Sequence, residues 1–228
     1  RSTRTADQQR PAGAGTPQKT FTPPLVWQGD AAKATYQAGY DALPDNATTD
    51  LTEAKRLVTA ANASGKTLVL AIPSGNQTFL QAATIVQADA KTIGLTVKIQ
   101  QMQPTAYSSL FYDPSKRVGI DLLLATGYVE VPGAYYYAPG FVLKDGLFNW
   151  TGWSDPTVTR LITEGQQSTD PQKSARDFVA AQKIFAPAEL QISLATTYNR
   201  LFMNKRITGA PASFAYIGSP WAAAVGGA

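Results

Sequence analysis

The side chains best suited to chemistry concentrate in residues 126–137, Thr-Gly-Tyr-Val-Glu-Val-Pro-Gly-Ala-Tyr-Tyr-Tyr. A carboxylate among aromatic rings can hold an ammonium group by charge and by cation–π attraction together. Tyrosines add flat, amphipathic surface with hydroxyl groups, which is the chemistry of a pocket wall. The candidate ligand contacts here are Tyr128, Glu130, Tyr135 and Tyr136. A solvated loop glutamate and tyrosines packed in a core are the alternatives that the residue types leave open.

The chain contains neither Cys nor His. This composition excludes thiol and imidazole nucleophiles, imidazole acid–base chemistry and the common structural zinc sites. Paired carboxylates remain an alternative, since glycosidases hydrolyse their substrates with two acids. The available acids, which form no recognisable pair, are Asp121, Glu130, Asp145 and Asp155. From these residues we identify no catalytic residue, metal site or cofactor. A carboxylate-dependent extracellular hydrolase is the alternative.

The overall composition is that of a globular protein. The chain has 228 residues, of which 44% are hydrophobic and 16% are charged. Arg1, Arg4 and Arg10 supply three of the charges behind a net charge of +4. Because the other charges nearly balance, we expect no nucleic-acid partner.

The chain has no run of roughly 18 apolar residues that would span a membrane. It lacks an apolar signal core and an initial Met, so we interpret it as a mature form or a piece of a longer protein.

Apolar periodicity predicts strands that alternate with helices. Residues 67–72 are a short apolar run typical of a buried strand, and residues 95–100 alternate apolar and polar side chains. Between them, Phe79–Ile93 has apolar residues at helical spacing, and Gly94 can end this helix with a positive φ. Strands are expected in one sheet at 67–72, 95–100, 119–125 and 191–197. Further helices are expected after Asp50, Ser154 and Asp170, at Pro104, and at 35–43.

This alternation indicates an α/β fold with a partly parallel sheet. Ligands of such sheets bind beyond the carboxyl ends of the strands. In this chain those ends are Pro73–Asn76, Met102–Gln103 and Thr126–Gly133. The last of them contains Tyr128 and Glu130, so the pattern favours a ligand site at this edge.

Several segments resemble, in order, the C-terminal lobe of the bacterial extracellular solute-binding proteins of family 5, the oligopeptide/dipeptide/nickel class of ABC importers. They are IPSGNQTFLQAATIVQADAKTIGLTVKI, GIDLLLATGY, NWTGWSDPTVTRLI, TDPQKSARDFVAAQKIF and QISLATTYNRLFMNKRI. With the helix expected at 51–61, they extend from Asp50 to about Arg206. The order of these segments carries the resemblance, because no single motif is decisive.

The resemblance implies a type II periplasmic-binding-protein-like lobe, with a mixed sheet flanked by helices. It also implies a protein that is not an enzyme and that captures peptides or similar solutes by closure of two lobes. In peptide-binding members an acid in the loop after the third strand pairs with the α-amine of the peptide, and Glu130 is the acid near that place. Tyr128 matches an aromatic wall position of the family. Tyr198, beside the last strand, is a further candidate for the cleft, although a plain strand residue is the alternative.

The partners that the resemblance implies are a peptide or other small solute, ABC permease subunits in the membrane, and an N-terminal lobe of the same protein. It implies an exported protein of the extracellular space or cell envelope, with a membrane anchor in the full-length form. Residues 1–48 are expected to be a Pro-rich extended segment leading from the N-terminal lobe, 49–205 the ligand-binding lobe, and 206–228 a return segment. A stand-alone partner-binding module is the remaining alternative.

Overall fold

The computed structural model describes residues 15–27, 29–44, 49–127, 133–197, 204–209 and 220–227. Its strands are β1 (Gly15–Pro17), β2 (Thr67–Pro73), β3 (Thr96–Met102), β4 (Leu122–Leu123), β5 (Ala195–Thr197), β6 (Ile207–Thr208) and β7 (Gly226–Gly227). Its α-helices are α1 (Lys33–Asp41), α2 (Leu51–Ala60), α3 (Gln77–Thr92), α4 (Pro104–Tyr112), α5 (Ala134–Val142), α6 (Pro156–Gln167) and α7 (Pro171–Phe185). Short 3₁₀ turns connect several of these elements.

A parallel sheet of three strands, in the order β3–β2–β4, forms the centre of the α/β part. Successive side chains of a strand point to opposite faces, and β2 shows this clearly. Leu70 and Ile72 are buried in a cluster with Ala83 of α3, whereas Ala71 is buried in a second cluster with Leu110 of α4. The strand must therefore be apolar at consecutive positions, which explains why its sequence does not alternate.

The expectation that residues 191–197 belong to this sheet is wrong. Their regular part, β5, instead pairs antiparallel with β1, with Gly15 opposite Thr197. Glycine makes this pairing possible, because a Cβ at Gly15 would lie 2.6 Å from the carbonyl oxygen of Thr196. The strand expected at 119–125 is also shorter in the structure, where β4 has only two residues. The α/β class is confirmed, with parallel and antiparallel strand pairs both present.

Several helices begin directly after a polar residue whose side chain caps the first turn. The side chains of Asp50, Asn76 and Asp170 each accept a hydrogen bond from a backbone N–H of the first turn that follows. For α6 the cap is Asp155 and not Ser154, since the Asp155 carboxylate accepts from two backbone N–H groups. Gly94 has the expected positive φ, +89°, after α3.

A larger apolar cluster is built from α1, α5, α6, α7 and the chain before α1. Phe178 and Phe185 of α7 lie at its centre and are 0% and 1% exposed. Val26 and Ala32, which precede α1, and Tyr36 of α1 belong to the same cluster. The chain before α2 thus contributes several side chains to the core, although its first described residues, Gly15–Pro17, are exposed. The expected boundaries at residues 48 and 205 stay predictions.

Buried polar contacts hold residues 18–22 against the helices. The Gln182 side-chain amide donates to the Thr22 hydroxyl over 3.2 Å, and both side chains are buried. The Tyr40 hydroxyl donates to the Gln18 side-chain oxygen over 3.0 Å. Buried polar groups are costly when unpaired, so these bonds specify how this segment sits on α1 and α7.

A series of ring contacts joins the sheet to the large helical cluster. Phe111 of α4 meets Trp150 edge-on, with ring centroids 5.3 Å apart. Trp150 meets Phe148 at 6.3 Å, Phe148 stacks on Phe141 at 5.2 Å, and Phe141 meets Phe21 at 4.8 Å. Aromatic pairs at such distances contribute about 0.5–1.5 kcal/mol each beyond the burial of their area. These ring contacts therefore connect α4, which packs against β2, with the helical cluster.

Arg117 reinforces this contact. Its guanidinium lies 4.9 Å from the Trp150 ring centroid. It also donates to the carbonyl oxygens of Leu110 and Phe111, over 2.6 and 3.0 Å, at the end of α4. A cation placed there stabilises the carbonyls at a helix C-terminus and stacks favourably on an indole face. Arg117 therefore holds the end of α4 and the Trp150 side chain together.

Three tyrosines are buried in these clusters. Burial raises the pKa of Tyr107 to about 12, and burial also raises the pKa of Tyr36 and Tyr135. The ordinary value is 10.0. A phenol whose pKa is higher in the folded state contributes stability that is fully present below pH 10 and is lost as the pH rises through the folded value.

We expect Arg117→Met to lower the free energy of unfolding by about 1–2 kcal/mol, because it removes the cation–π contact and two hydrogen bonds but keeps the aliphatic stem. Urea unfolding measures this value. Lys116→Met is the matched control, since the neighbouring lysine is exposed, and its effect should stay within about 0.5 kcal/mol. Equal effects of the two substitutions would contradict the role of Arg117.

We also expect the free energy of unfolding to fall as the pH rises above 10, by up to about 1.4 kcal/mol per pH unit for each buried phenol. Tyr107→Phe should make this fall shallower, because one of these groups is removed. Urea unfolding between pH 9 and 11.5 measures the slope. Tyr112→Phe is the control, since this tyrosine is 68% exposed. A slope that Tyr107→Phe leaves unchanged would contradict the assignment.

Candidate functional site

The carboxyl ends of the three parallel strands meet at one edge of the sheet. We call residues 74–76, Gln103 and residues 124–127 the carboxyl edge. The Ser74 N–H donates to the Met102 carbonyl over 2.7 Å, which holds the turn after β2 against the end of β3. Gly75 has φ +78° and allows the turn to enter α3. The side chain of Asn76 accepts from the Phe79 N–H over 3.0 Å and starts that helix.

The third segment of the carboxyl edge follows β4 and leads to the tyrosine-rich stretch. Ala125, Thr126 and Gly127 are exposed to solvent. Leu124, just before them, is half-buried, and its carbonyl oxygen accepts a hydrogen bond from the Tyr107 hydroxyl. The chain therefore leaves the sheet at Leu124, which is held by a hydrogen bond, and continues into residues 125–127, which are accessible to a ligand.

Three of the five predicted site residues lie outside the described residues. They are Tyr128, Glu130 and Tyr198. Their roles stay predictions, because no contact of these side chains is part of the described structure. Glu130, the predicted charged contact, is among them. The described residues nearest to it in the chain are 124–127 and 133–137.

Tyr135 lies in the core. It is 7% exposed, its hydroxyl donates to the Ser174 carbonyl over 2.6 Å, and its ring meets Phe178 edge-on at 5.6 Å. The backbone of α6 comes close to this hydroxyl at Gly165, where a Cβ would lie 1.8 Å from it. This placement matches the core-packing alternative that the sequence left open. A ligand contact by Tyr135 stays a prediction.

Tyr136 is in the first turn of α5 and is 60% exposed. Its ring meets the half-buried Tyr137 edge-on, with centroids 4.9 Å apart. Tyr137 in turn packs against the helical cluster. Tyr137 is held by the cluster, and the ring of Tyr136 that rests on it is accessible. Such a ring is a suitable surface for apolar parts of a solute. Of the predicted site residues that are described, Tyr136 is thus the accessible one.

The acids considered for hydrolysis have structural contacts where they are described. The Asp121 carboxylate accepts from the Val69 N–H over 2.7 Å, and Asp155 caps α6. Asp145 is exposed, and Glu130 lies outside the described residues.

Within the described ranges, His, Cys, Asp and Glu form no cluster of three or more that could hold a metal ion. The same ranges contain no helix with the length and hydropathy needed to cross a membrane.

Sequence reasoning missed the two side chains that anchor β4. The sequence places Tyr107 in the helix expected at Pro104 without assigning it a role, and it presents Asp121 only as one acid among several. Their partners, Leu124 and Val69, are 17 and 52 residues away in the chain. No local pattern signals such contacts, so only the folded structure identifies them.

Solved structures with the same fold include several solute-binding proteins. An ABC-transporter substrate-binding protein from Listeria monocytogenes is 17% identical, with a TM-score of 0.70 over 90% of this chain and 40% of that chain. OppA from Haemophilus influenzae, in complex with the peptide RPPGFSPFR, is 16% identical, with a TM-score of 0.68 over 91% and 40%. NikA from Staphylococcus aureus, in complex with Ni(L-His)₂, is 18% identical, with a TM-score of 0.58 over 67% and 33%.

These similarities confirm the type II periplasmic-binding-protein-like fold. The chain covers 40% or less of each of these three proteins. No curated protein sequence matches the chain. A family described as bacterial extracellular solute-binding proteins, family 5, middle part, matches residues 9–149. Because this match covers more than half of the chain, the protein belongs to the bacterial extracellular solute-binding proteins of family 5.

Proposed function

We propose that the protein captures peptides through the carboxyl edge of its sheet, as part of a two-lobed trap that serves an ABC importer. The observation that carries the proposal is the anchored, solvent-exposed exit of the chain after β4. The exposed Tyr136 follows further along the chain. The family membership supports solute binding, and the peptide complex of a protein with the same fold supports peptides as the class.

In this proposal the residues bind and exclude water, and no covalent step occurs. Glu130 pairs with the α-amine of the peptide, and Tyr128 and Tyr136 cover its apolar parts. A second lobe closes over the bound peptide, and the closed form docks on permease subunits. The protein works outside the cytoplasmic membrane and is anchored to it in the full-length form. A hydrolase is a weaker proposal, since Asp121 and Asp155 already bind backbone N–H groups.

The first test concerns charge. In the full-length protein, Glu130→Gln should weaken binding of RPPGFSPFR by about 1.5–3 kcal/mol, the range for a hydrogen bond to a charged group. Binding of the same peptide with an acetylated N-terminus should change little, because it has no ammonium group. Isothermal titration calorimetry measures both affinities.

Glu164→Gln is the matched control for this test, because Glu164 pairs with Arg160 on the surface of α6, 3.0 Å away. It should leave both affinities unchanged. Equal weakening of the free and acetylated peptides by Glu130→Gln would contradict the ammonium contact. A parent protein that binds neither RPPGFSPFR nor STSA, the peptide in the complex of the Helicobacter pylori DppA, would contradict the peptide class.

The second test concerns the wall. Tyr136→Ala should weaken both forms of the peptide by about 1–2 kcal/mol, because it removes apolar area and not charge. Tyr112→Ala is the control: Tyr112 is also exposed but ends α4, and the carboxyl edge lies at the start of that helix. Tyr136→Ala with the affinity of the parent would exclude Tyr136 from the binding surface.

The third test uses the 228-residue chain by itself. It should bind RPPGFSPFR with a Kd weaker than about 100 µM, because one lobe buries only one side of the peptide and each 1.4 kcal/mol lost is a tenfold weakening. Calorimetry on the chain and on the full-length protein gives the comparison. Sub-micromolar binding by the chain would show that closure of a second lobe is not needed.

A further inference from the structure

The strand that leads to the candidate site is held by few backbone contacts. β2 pairs with β3 at seven positions, from Thr67 opposite Thr96 to Pro73 opposite Met102. It pairs with β4 at two positions only, Leu70 opposite Leu122 and Ala71 opposite Leu123. The direction in which the chain leaves β4 therefore depends on contacts other than the ladder.

Side chains supply these contacts at both ends of β4. Before the strand, the Asp121 N–H donates to the Val69 carbonyl over 3.0 Å, and the Val69 N–H donates to the Asp121 carboxylate over 2.7 Å. After the strand, the backbone contact from the Leu124 N–H to the Ala71 carbonyl is long, at 3.5 Å. The Leu124 carbonyl oxygen, in contrast, accepts directly from the Tyr107 hydroxyl. Asp121 and Tyr107 thus hold the two ends of a short strand.

The Tyr107 ring is itself fixed by its surroundings. It is 6% exposed and packs with Ala71 of β2 and Leu110 of α4. Phe111 meets it edge-on at 5.5 Å, and Phe111 also contacts Trp150. A phenol with the ordinary pKa of 10.0 is already protonated at neutral pH, and burial raises the pKa of Tyr107 further, to about 12, so the hydroxyl is a donor. A fixed ring with a permanent donor is suited to set the position of a backbone carbonyl.

We propose that Tyr107 is a positioning residue that sets the direction in which residues 124–127 leave the sheet, and thereby how the carboxyl edge is presented to a solute. Tyr107 acts from inside the core and does not touch the solute. The proposal deepens the proposed function and rests on it for its consequence in binding, whereas the anchoring of residues 124–127 can be tested without a ligand.

The ligand-free test compares Tyr107→Phe with the parent by NMR. The substitution keeps the buried ring and removes the donor. We expect lower backbone order parameters for Ala125, Thr126 and Gly127, and about tenfold faster hydrogen exchange at the Leu124 amide, the effect of losing one hydrogen bond. Amides of the β2–β3 ladder should not change. Replacement of Tyr107 by 4-aminophenylalanine, which restores an N–H donor, should reverse the effect.

Tyr36→Phe is the matched control, because Tyr36 is also a buried tyrosine whose pKa is raised by burial, and it lies in the helical cluster away from β4. It should lower the stability but leave residues 124–127 as in the parent. Unchanged order parameters and exchange in Tyr107→Phe would overturn the proposal. Equal acceleration throughout the sheet would also overturn it, since Tyr107 would then act on general stability alone.

The binding test uses RPPGFSPFR and the full-length protein. Tyr107→Phe should weaken the affinity about tenfold, chiefly through faster dissociation, whereas Tyr36→Phe should stay within about twofold of the parent. Altered order at residues 124–127 with unchanged affinity would refute the link to binding. A parent protein that binds no peptide would refute the proposed function and leave the NMR result to decide the anchoring.

Discussion

Burial of β2 on both faces is the constraint on which the α/β part of this protein depends. Leu70 and Ile72 face α3, Ala71 faces α4, and neighbouring strands occupy both edges. A strand in this position needs apolar residues in succession and helices on either side. The turn after it, at residues 74–76, then lies beside the ends of β3 and β4. The carboxyl edge is accordingly a consequence of how the core packs.

The contact between sheet and helical cluster depends on a few large rings. Phe111, Trp150 and Phe148 link the two parts, and Arg117 adds a charge that both caps α4 and stacks on the indole. Tyr107 belongs to the same group of rings through Phe111. The anchor of the candidate site is thus part of the structure that joins the sheet to the helices. A substitution that alters these ring contacts is therefore expected to shift the position of residues 124–127 as well.

The candidate site divides into what was foreseeable and what was not. Its expected location beyond the strand ends follows from the α/β pattern. Tyr136 is exposed, and its contact with a ligand stays a prediction. The burial of Tyr135, one position away, was not foreseeable, because the sequence does not say which residues of α5 face α7. The hydrogen bond from Tyr107 to Leu124 was equally hidden, since it joins a helix to the residue after a strand.

By itself the sequence determined the approximate limits of the main helices other than α5, the strands β2 and β3, the cap at Asp50, and the family. These depend on local periodicity, on side chains near their own backbone, and on the order of motifs. Only the tertiary structure decided that β5 pairs with β1, that the chain before α2 contributes side chains to the core, and that β4 has two residues. Such outcomes depend on contacts between distant segments, where packing and hydrogen-bond satisfaction decide among pairings that local propensity leaves equal.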